Sequence, residues 1–166
     1  MRTHWSYLLV LLMWIGMRSA GSAQDLEDGL YRIPAFALDS NWTGSTPQGT
    51  TSLPFHSLFE EEEGGPAYFL IDTMDHVPLR LEIAPRAEDQ SEGKKRLMLT
   101  LTKEGSEKLR SFTADRVGET VAIVIDDQVV SKHVVKEALT SGQLQIAWCG
   151  PDACEQLRSR LQDNVR

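Results

Sequence analysis

The sequence predicts an α+β fold, a mainly antiparallel sheet with two helices packed on it, preceded by a signal peptide and a flexible N-terminal segment. Three observations lead there. Apolar residues alternate with polar ones at Val77-Leu79-Leu81-Ile83, Leu97-Leu99-Leu101 and Leu144-Ile146-Trp148, the period of half-buried strands. Leu109 and Phe112 fall at helical spacing between a capping threonine and a glycine stop. Pro151 then opens a second helical stripe at the C-terminus.

Arg2 and His4 precede an eleven-residue run from Tyr7 to Met17, and small residues follow at Ala20, Gly21, Ser22 and Ala23, which is a secretory signal pattern. As a helix the run reaches about 16 Å, roughly half of a ~30 Å hydrocarbon core, so an uncleaved anchor is the minor alternative. Cleavage is expected between Ala23 and Gln24, delivering the chain to the periplasm or the extracellular space with no membrane span in the mature protein. Loss of Arg2 and Arg18 would leave 15 basic against 24 acidic residues, a net charge of about −9. Lys94-Lys95-Arg96 is the one basic cluster. So acidic a chain is poorly suited to phosphate backbones, and no nucleic-acid partner is expected.

The organisation expected for the rest is a segment over 24–66 and an α+β domain over 67–164. Leu30, Tyr31, Ile33, Phe36 and Leu38 form a short apolar patch. Thr43 to Pro66 is rich in Thr, Ser, Gly and Pro and carries Glu60-Glu61-Glu62-Glu63. Such a composition buries too little apolar surface to offset chain entropy, and it reads as a mobile linker or long loop.

Ala67 to Asp72 begins the regular pattern, and Val77 to Ile83 reads as a strand with Pro78 at an edge or a start. Arg86 to Lys95 is polar and reads as a loop. The strand over Leu97-Leu99-Leu101 then pairs antiparallel with the one before it. Thr102 caps the following helix and Glu104 complements its positive end. Arg116 is expected at the border of the helix's buried face, and Gly118 as a left-handed stop. Gly105 in the first turn costs about 1 kcal/mol relative to Ala, which points to close packing there. Val121 to Ile125 is apolar throughout, as in a strand covered on both faces. Asp126-Asp127 reads as a tight turn into Gln128-Val129-Val130. The terminal helix buries Cys154, Leu157 and Leu161.

Residue order adds to this pattern. Leu99-Thr100-Leu101-Thr102-Lys103-Glu104-Gly105, Val117-Gly118, Ala122-Ile123-Val124-Ile125-Asp126, and Val130-Ser131 followed by Gly142 and Ile146 resemble the head of the first periplasmic domain of SecD. That family assists polypeptides emerging from the Sec channel, so the resemblance implies an α+β head with a role in protein export. The sequence departs from the family after Val130-Ser131, with Lys132-His133 and Glu137-Ala138-Leu139 where the family has Ala-Pro and a later Pro. The family also prefers Gly at the position of Asp127, which implies a wider turn here. Full-length members couple proton flow to head movement through membrane helices. The expectation here is a head without that motor.

Cys149 and Cys154 read as a structural disulfide in an oxidising compartment, contributing about 2 kcal/mol in the chain-entropy model, with buried free thiols or redox or metal chemistry as alternatives. Asp72, Asp75 and His76 are the constellation that acid–base or metal chemistry would use, and a polar turn between strands accounts for the same residues. No G-x-S-x-G, H-E-x-x-H, phosphate loop or nucleotide fingerprint is present, and no catalytic residue, metal or cofactor is expected. Asn41-Trp42-Thr43 matches a glycosylation acceptor only where the transferase exists.

The first functional expectation is therefore a non-enzymatic interaction module that binds a polypeptide or an envelope protein. Its expected contact is an open sheet edge at Gln128, Val129, Val130, Ser131, Lys132, His133, Val134 and Val135. The alternatives are a small hydrolase or metal-dependent enzyme centred on Asp72, Asp75 and His76, and a purely structural envelope protein.

Overall fold

The computed structural model describes residues 25–38, 47–55 and 68–165. In chain order the strands are β1 (Gly29–Leu38), β2 (Thr50–Pro54), β3 (Tyr68–Pro78), β4 (Arg86–Asp89) and β5 (Lys95–Thr100). Helix α1 (Lys103–Ala114), strands β6 (Thr120–Ile125), β7 (Gln128–Val134) and β8 (Gln143–Cys149), and helix α2 (Pro151–Leu161) follow. The class is α+β with antiparallel ladders, as the residue pattern predicts, but the strands divide into two sheets. One has the order β2-β3-β1-β6-β7 and the other β4-β5-β8.

β6 explains how the layers stack. Its five apolar residues are all buried, and alternation sends them to opposite faces. Val121, Ile123 and Ile125 join the main core with Leu97, Leu99, Leu109, Phe112, Ile146, Leu157 and Leu161, so this face of the larger sheet meets the smaller sheet and both helices. Ala122 and Val124 join Tyr31, Ile33, Leu53, Phe69, Ile71 and Val129 in a second cluster on the other face. Phe55 bridges to Val129, so the two ends of the larger sheet curl toward each other around that second cluster.

Several local expectations differ from what forms. The stretch 24–66 contributes β1, which lies between β3 and β6, and β2, an outer strand inside the presumed linker. Leu30, Tyr31 and Ile33 are buried because β3 and β6 flank them, and polar Thr-Thr-Ser in β2 is held by the main chain of β3. The alternation Val77 to Ile83 is not one strand: β3 ends at Pro78, and Leu81 only bridges to Leu101 and Val165. Leu79 and Leu81 are buried in the main core while Ile83 is exposed. Arg86–Asp89, read as loop, pairs with β5, where Glu88 bonds Arg96 across the ladder at 2.7 Å. The presumed strand pair is thus β4 with β5.

Other features form as expected. Thr102 accepts from the Gly105 amide at 3.2 Å, and a Cβ on Gly105 would approach Leu101 Cβ at 3.2 Å, so α1 starts tight against the end of β5. Asp126 and Asp127 both take positive φ, 50° and 56°, in a two-residue turn between Ile125 and Gln128, so the turn is tight rather than widened. The Asp127 carboxylate accepts from the Leu26 amide at 2.9 Å, and Asp126 pairs with Arg160 of α2. These ties account for aspartates at positions where glycine relieves strain.

Candidate interaction surface

Among the described residues β7 is the outer strand of the larger sheet, so one side of its main chain pairs with β6 and, beyond the Phe55 bridge at Val129, the other faces away. The Val135 amide donates to Glu119 O at 2.9 Å and Val135 O accepts from Gly118 at 2.8 Å. Backbone groups alternate along a strand, so His133 also bonds inward while the N–H and C=O of Lys132 and Val134 point outward. A bulge at Val130 breaks the register, since Ile123 opposes Ser131 while Val124 opposes Val129.

The eight residues of the expected edge are therefore not equivalent. Val129 is fully buried and bridged to Phe55, and Val130 and Val135 are buried in the main core. Gln128 is exposed beside the turn. Among the described residues the open part is Lys132 to Val134, with Ser131 half-buried and Val134 56% exposed. Lys132 Nζ lies 5.2 Å and 5.4 Å from the rings of Phe55 and Phe69, which holds its charge at the mouth of the second cluster. Ser131 Oγ lies 2.7 Å from His133 Nε2. Loss of solvent around the imidazole pushes its pKa below the ordinary histidine value, so His133 is neutral at pH 7.

Beside this open stretch lies a groove of about 480 Å³. Leu30, Val121 and Ile123 of the larger sheet form one wall, and Leu144 and Met98 of the smaller sheet the other. His133 and Val134 stand at its mouth, and the connection 135–142 forms its lip. Among the described residues the smaller sheet ends at β8, so the groove runs between two outer strands. An extended segment entering it meets β7 main chain that no described residue pairs with, and an apolar wall for alternate side chains.

Asp72, Asp75 and His76 do not form a shared centre. They lie within β3 rather than in a turn, at a register break opposite Tyr31 and Arg32. Asp72 accepts from the Met74 amide at 2.9 Å and sits 3.9 Å from Arg32. Asp75 pairs with Arg116 at 2.8 Å, and that guanidinium lies 4.1 Å from the centroid of the Phe112 ring, at the border of the helix face as expected. His76 stacks on Tyr31, with centroids 4.7 Å apart, and its Nε2 lies 3.3 Å from Glu27. Each side chain is engaged by a different neighbour.

Cys149 and Cys154 form a disulfide with Cα atoms 5.3 Å apart, tying the end of β8 to the first turn of α2. Both cysteines are fully buried. The cleavage site at Ala23 and Gln24, the acceptor Asn41 and the acid run 60–63 lie outside the described residues. Residue-by-residue reading missed Thr113 and the lip 135–142. The available signal was a polar residue, Thr113, one turn after Leu109 on the buried stripe of α1.

The family model described as SecDF, P1 head subdomain, matches residues 76–158. The chain belongs to the SecDF P1 head subdomain family. It is similar to the protein translocase subunit SecD of Rhodothermus marinus, 32% identical over 88 residues, covering 52% of this chain and 14% of that protein. It is also similar to the protein translocase subunit SecDF of Thermus thermophilus, 37% identical over 54 residues, covering 32% of this chain and 7% of that one. Among solved structures, that of a membrane component SecDF that enhances protein export is 31% identical, covers 46% of this chain and 34% of its own, and has a TM-score of 0.41. The crystal structure of the translocon-associated SecDF from Thermus thermophilus is 26% identical over 57% of this chain and 14% of its own, at a TM-score of 0.41. The chain thus spans a small part of the SecD and SecDF proteins it matches. The matched P1 head residues include α1, β6, β7 and β8, the elements that frame the groove. Among the described residues no helix is long and apolar enough to cross a membrane.

Proposed function

We propose that this chain is an exported, non-enzymatic module of protein export that acts in the periplasm or outside the cell. It binds an extended stretch of a translocating or unfolded polypeptide, or of an envelope partner, on the open half of β7. The observation that carries this reading is an outer strand with outward backbone groups at Lys132 and Val134 beside an apolar groove of about 480 Å³. Main-chain pairing on such an edge supplies affinity without a fixed sequence, and the groove takes alternate side chains. The names of the relatives, protein translocase subunits SecD and SecDF, support a client that is itself a polypeptide. The match reaches a small fraction of those proteins, so the proposal extends to polypeptide contact and not to energy conversion.

The test is photo-crosslinking in living cells from single positions along Val129 to Val135. Adducts with many exported chains from Lys132 and Val134, and few from buried Val129, are the expected result. One defined adduct identifies an envelope partner instead. Absence of adducts from every position rejects the proposal and leaves a structural role.

A further inference from the structure

We infer that Thr113 is a positioning residue for the groove: its hydroxyl fixes the lip 135–142 to α1 through the Leu139 amide and thereby sets the width of the opening beside β7. This rests on the groove being the binding site.

Thr113 is the buried polar residue of the core among the described residues, with no exposed surface. It sits next to the end of α1 on the stripe formed by Leu109 and Phe112. A threonine there ordinarily satisfies itself by donating to the carbonyl four residues back, and Thr113 Oγ1 does so to Leu109 O at 2.7 Å. That leaves its lone pairs facing the groove, where they accept the Leu139 amide at 2.9 Å. Donor and acceptor are both used, so the hydroxyl is buried without an unmet bond.

The lip needs this strut. Its first residue, Val135, is held by Glu119 and Gly118, and at its end Gly142 O accepts from the Leu101 amide at 2.9 Å. Gly142 is wedged against α1 so closely that a Cβ there would lie 2.0 Å from Ser106 Oγ. Between these ends the Leu139 amide is tied to α1 by Thr113, and among the described residues the span's other side-chain bond is local, from the Gln143 amide to Ser141 Oγ at 3.3 Å at the entry to β8. Lys136 and Glu137, which line the groove, are carried on the span that Thr113 holds. Valine has the shape of threonine without the hydroxyl, so Thr113→Val frees the Leu139 amide while leaving the packing of α1. Serine keeps the hydroxyl.

The experiment compares the wild-type chain with Thr113→Val and Thr113→Ser by amide hydrogen exchange and by binding to a fluorescein-labelled, reduced and carboxymethylated unfolded protein. In Thr113→Val, exchange at Leu139 is expected to rise about tenfold or more, the scale of one lost hydrogen bond, with amides of β6 and β8 unchanged. Affinity for the probe falls about tenfold in the same variant, and Thr113→Ser restores both readouts. Unchanged protection at Leu139, or protection lost evenly from every element, overturns the inference. So does faster exchange at Leu139 with undiminished affinity, or a serine variant that rescues neither. A wild-type chain that binds no probe refutes the unfolded-polypeptide reading of the groove on which this inference rests, whereas unchanged Leu139 exchange in a chain that binds refutes the strut alone.

Discussion

Proline substitution on β7 distinguishes strand addition from any other use of this surface. Val134→Pro removes an N–H that points away from β6, so no ladder bond is lost. The residue before it, His133, is already extended, as a proline successor requires. Val134 is 56% exposed, so little packing goes with it. The expected stability change is within about 1 kcal/mol, in the range of other exposed positions. An incoming strand, however, loses a donor worth about 0.5–1.5 kcal/mol and meets the proline ring along the pairing line, so affinity falls tenfold or more. His133→Pro is the control. Its N–H faces Val121 in the ladder, and its loss strands a buried carbonyl at a cost of about 1–3 kcal/mol. Fluorescence anisotropy with an unfolded probe and urea denaturation of both variants read the two effects separately. A folded Val134→Pro variant that binds like wild type refutes main-chain pairing at this edge. If Val134→Pro unfolds the chain and His133→Pro does not, the assignment of outward and inward groups is reversed.

Replacing Cys149 and Cys154 together with serine is expected to lower stability by about 2 kcal/mol in urea titrations, and intact protein should resist reduction by dithiothreitol because both sulfurs are buried. Desolvation holds the folded-state pKa of His133 below its unfolded value of about 6.5, so its contribution to stability is present above that pH and is lost as pH falls through the folded value. Thermal melts from pH 7.5 to 5 should show this loss in wild type and not in His133→Gln, and a ring titration by NMR should give a midpoint below the unfolded one. Gly142→Ala combines a φ of +67° with the contact to Ser106, so it should cost well over 1 kcal/mol. Adding Ser106→Gly should recover the steric part and leave the backbone part, which a double-mutant cycle measures. Asp75→Ala removes a half-exposed carboxylate from the mostly buried Arg116 guanidinium and should lower stability by about 1 kcal/mol or somewhat more, read by urea denaturation.

Charge and hydropathy patterns located α1, β6 and α2 closely, because caps, stops and periodicity act within one turn or one strand. The run Val121 to Ile125 announced burial on both faces, and the two clusters that share β6 are that burial realised. The disulfide partners were legible because only two cysteines exist. The edge was legible in part. β7 is an outer strand, yet its first half is closed by Phe55, a residue dozens of positions away in a stretch whose composition reads as linker.

By itself the sequence determined the α+β class, the two helices with their starts at Thr102 and Pro151, the β6–β7 hairpin and the family resemblance, all of which rest on residues near one another in the chain; the end of α1 at Ala114, short of Gly118, was not legible. Tertiary structure alone decided that two sheets form instead of one, that β1 lies between β3 and β6, and that Asp72, Asp75 and His76 engage separate partners. It also decided that a groove opens between β7 and β8 with Thr113 bonded to its lip. Each of these depends on pairing between distant segments. Strand order and side-chain meeting points are set by which ladders bury the most apolar surface together, a property of the assembled layers that no local window of residues contains.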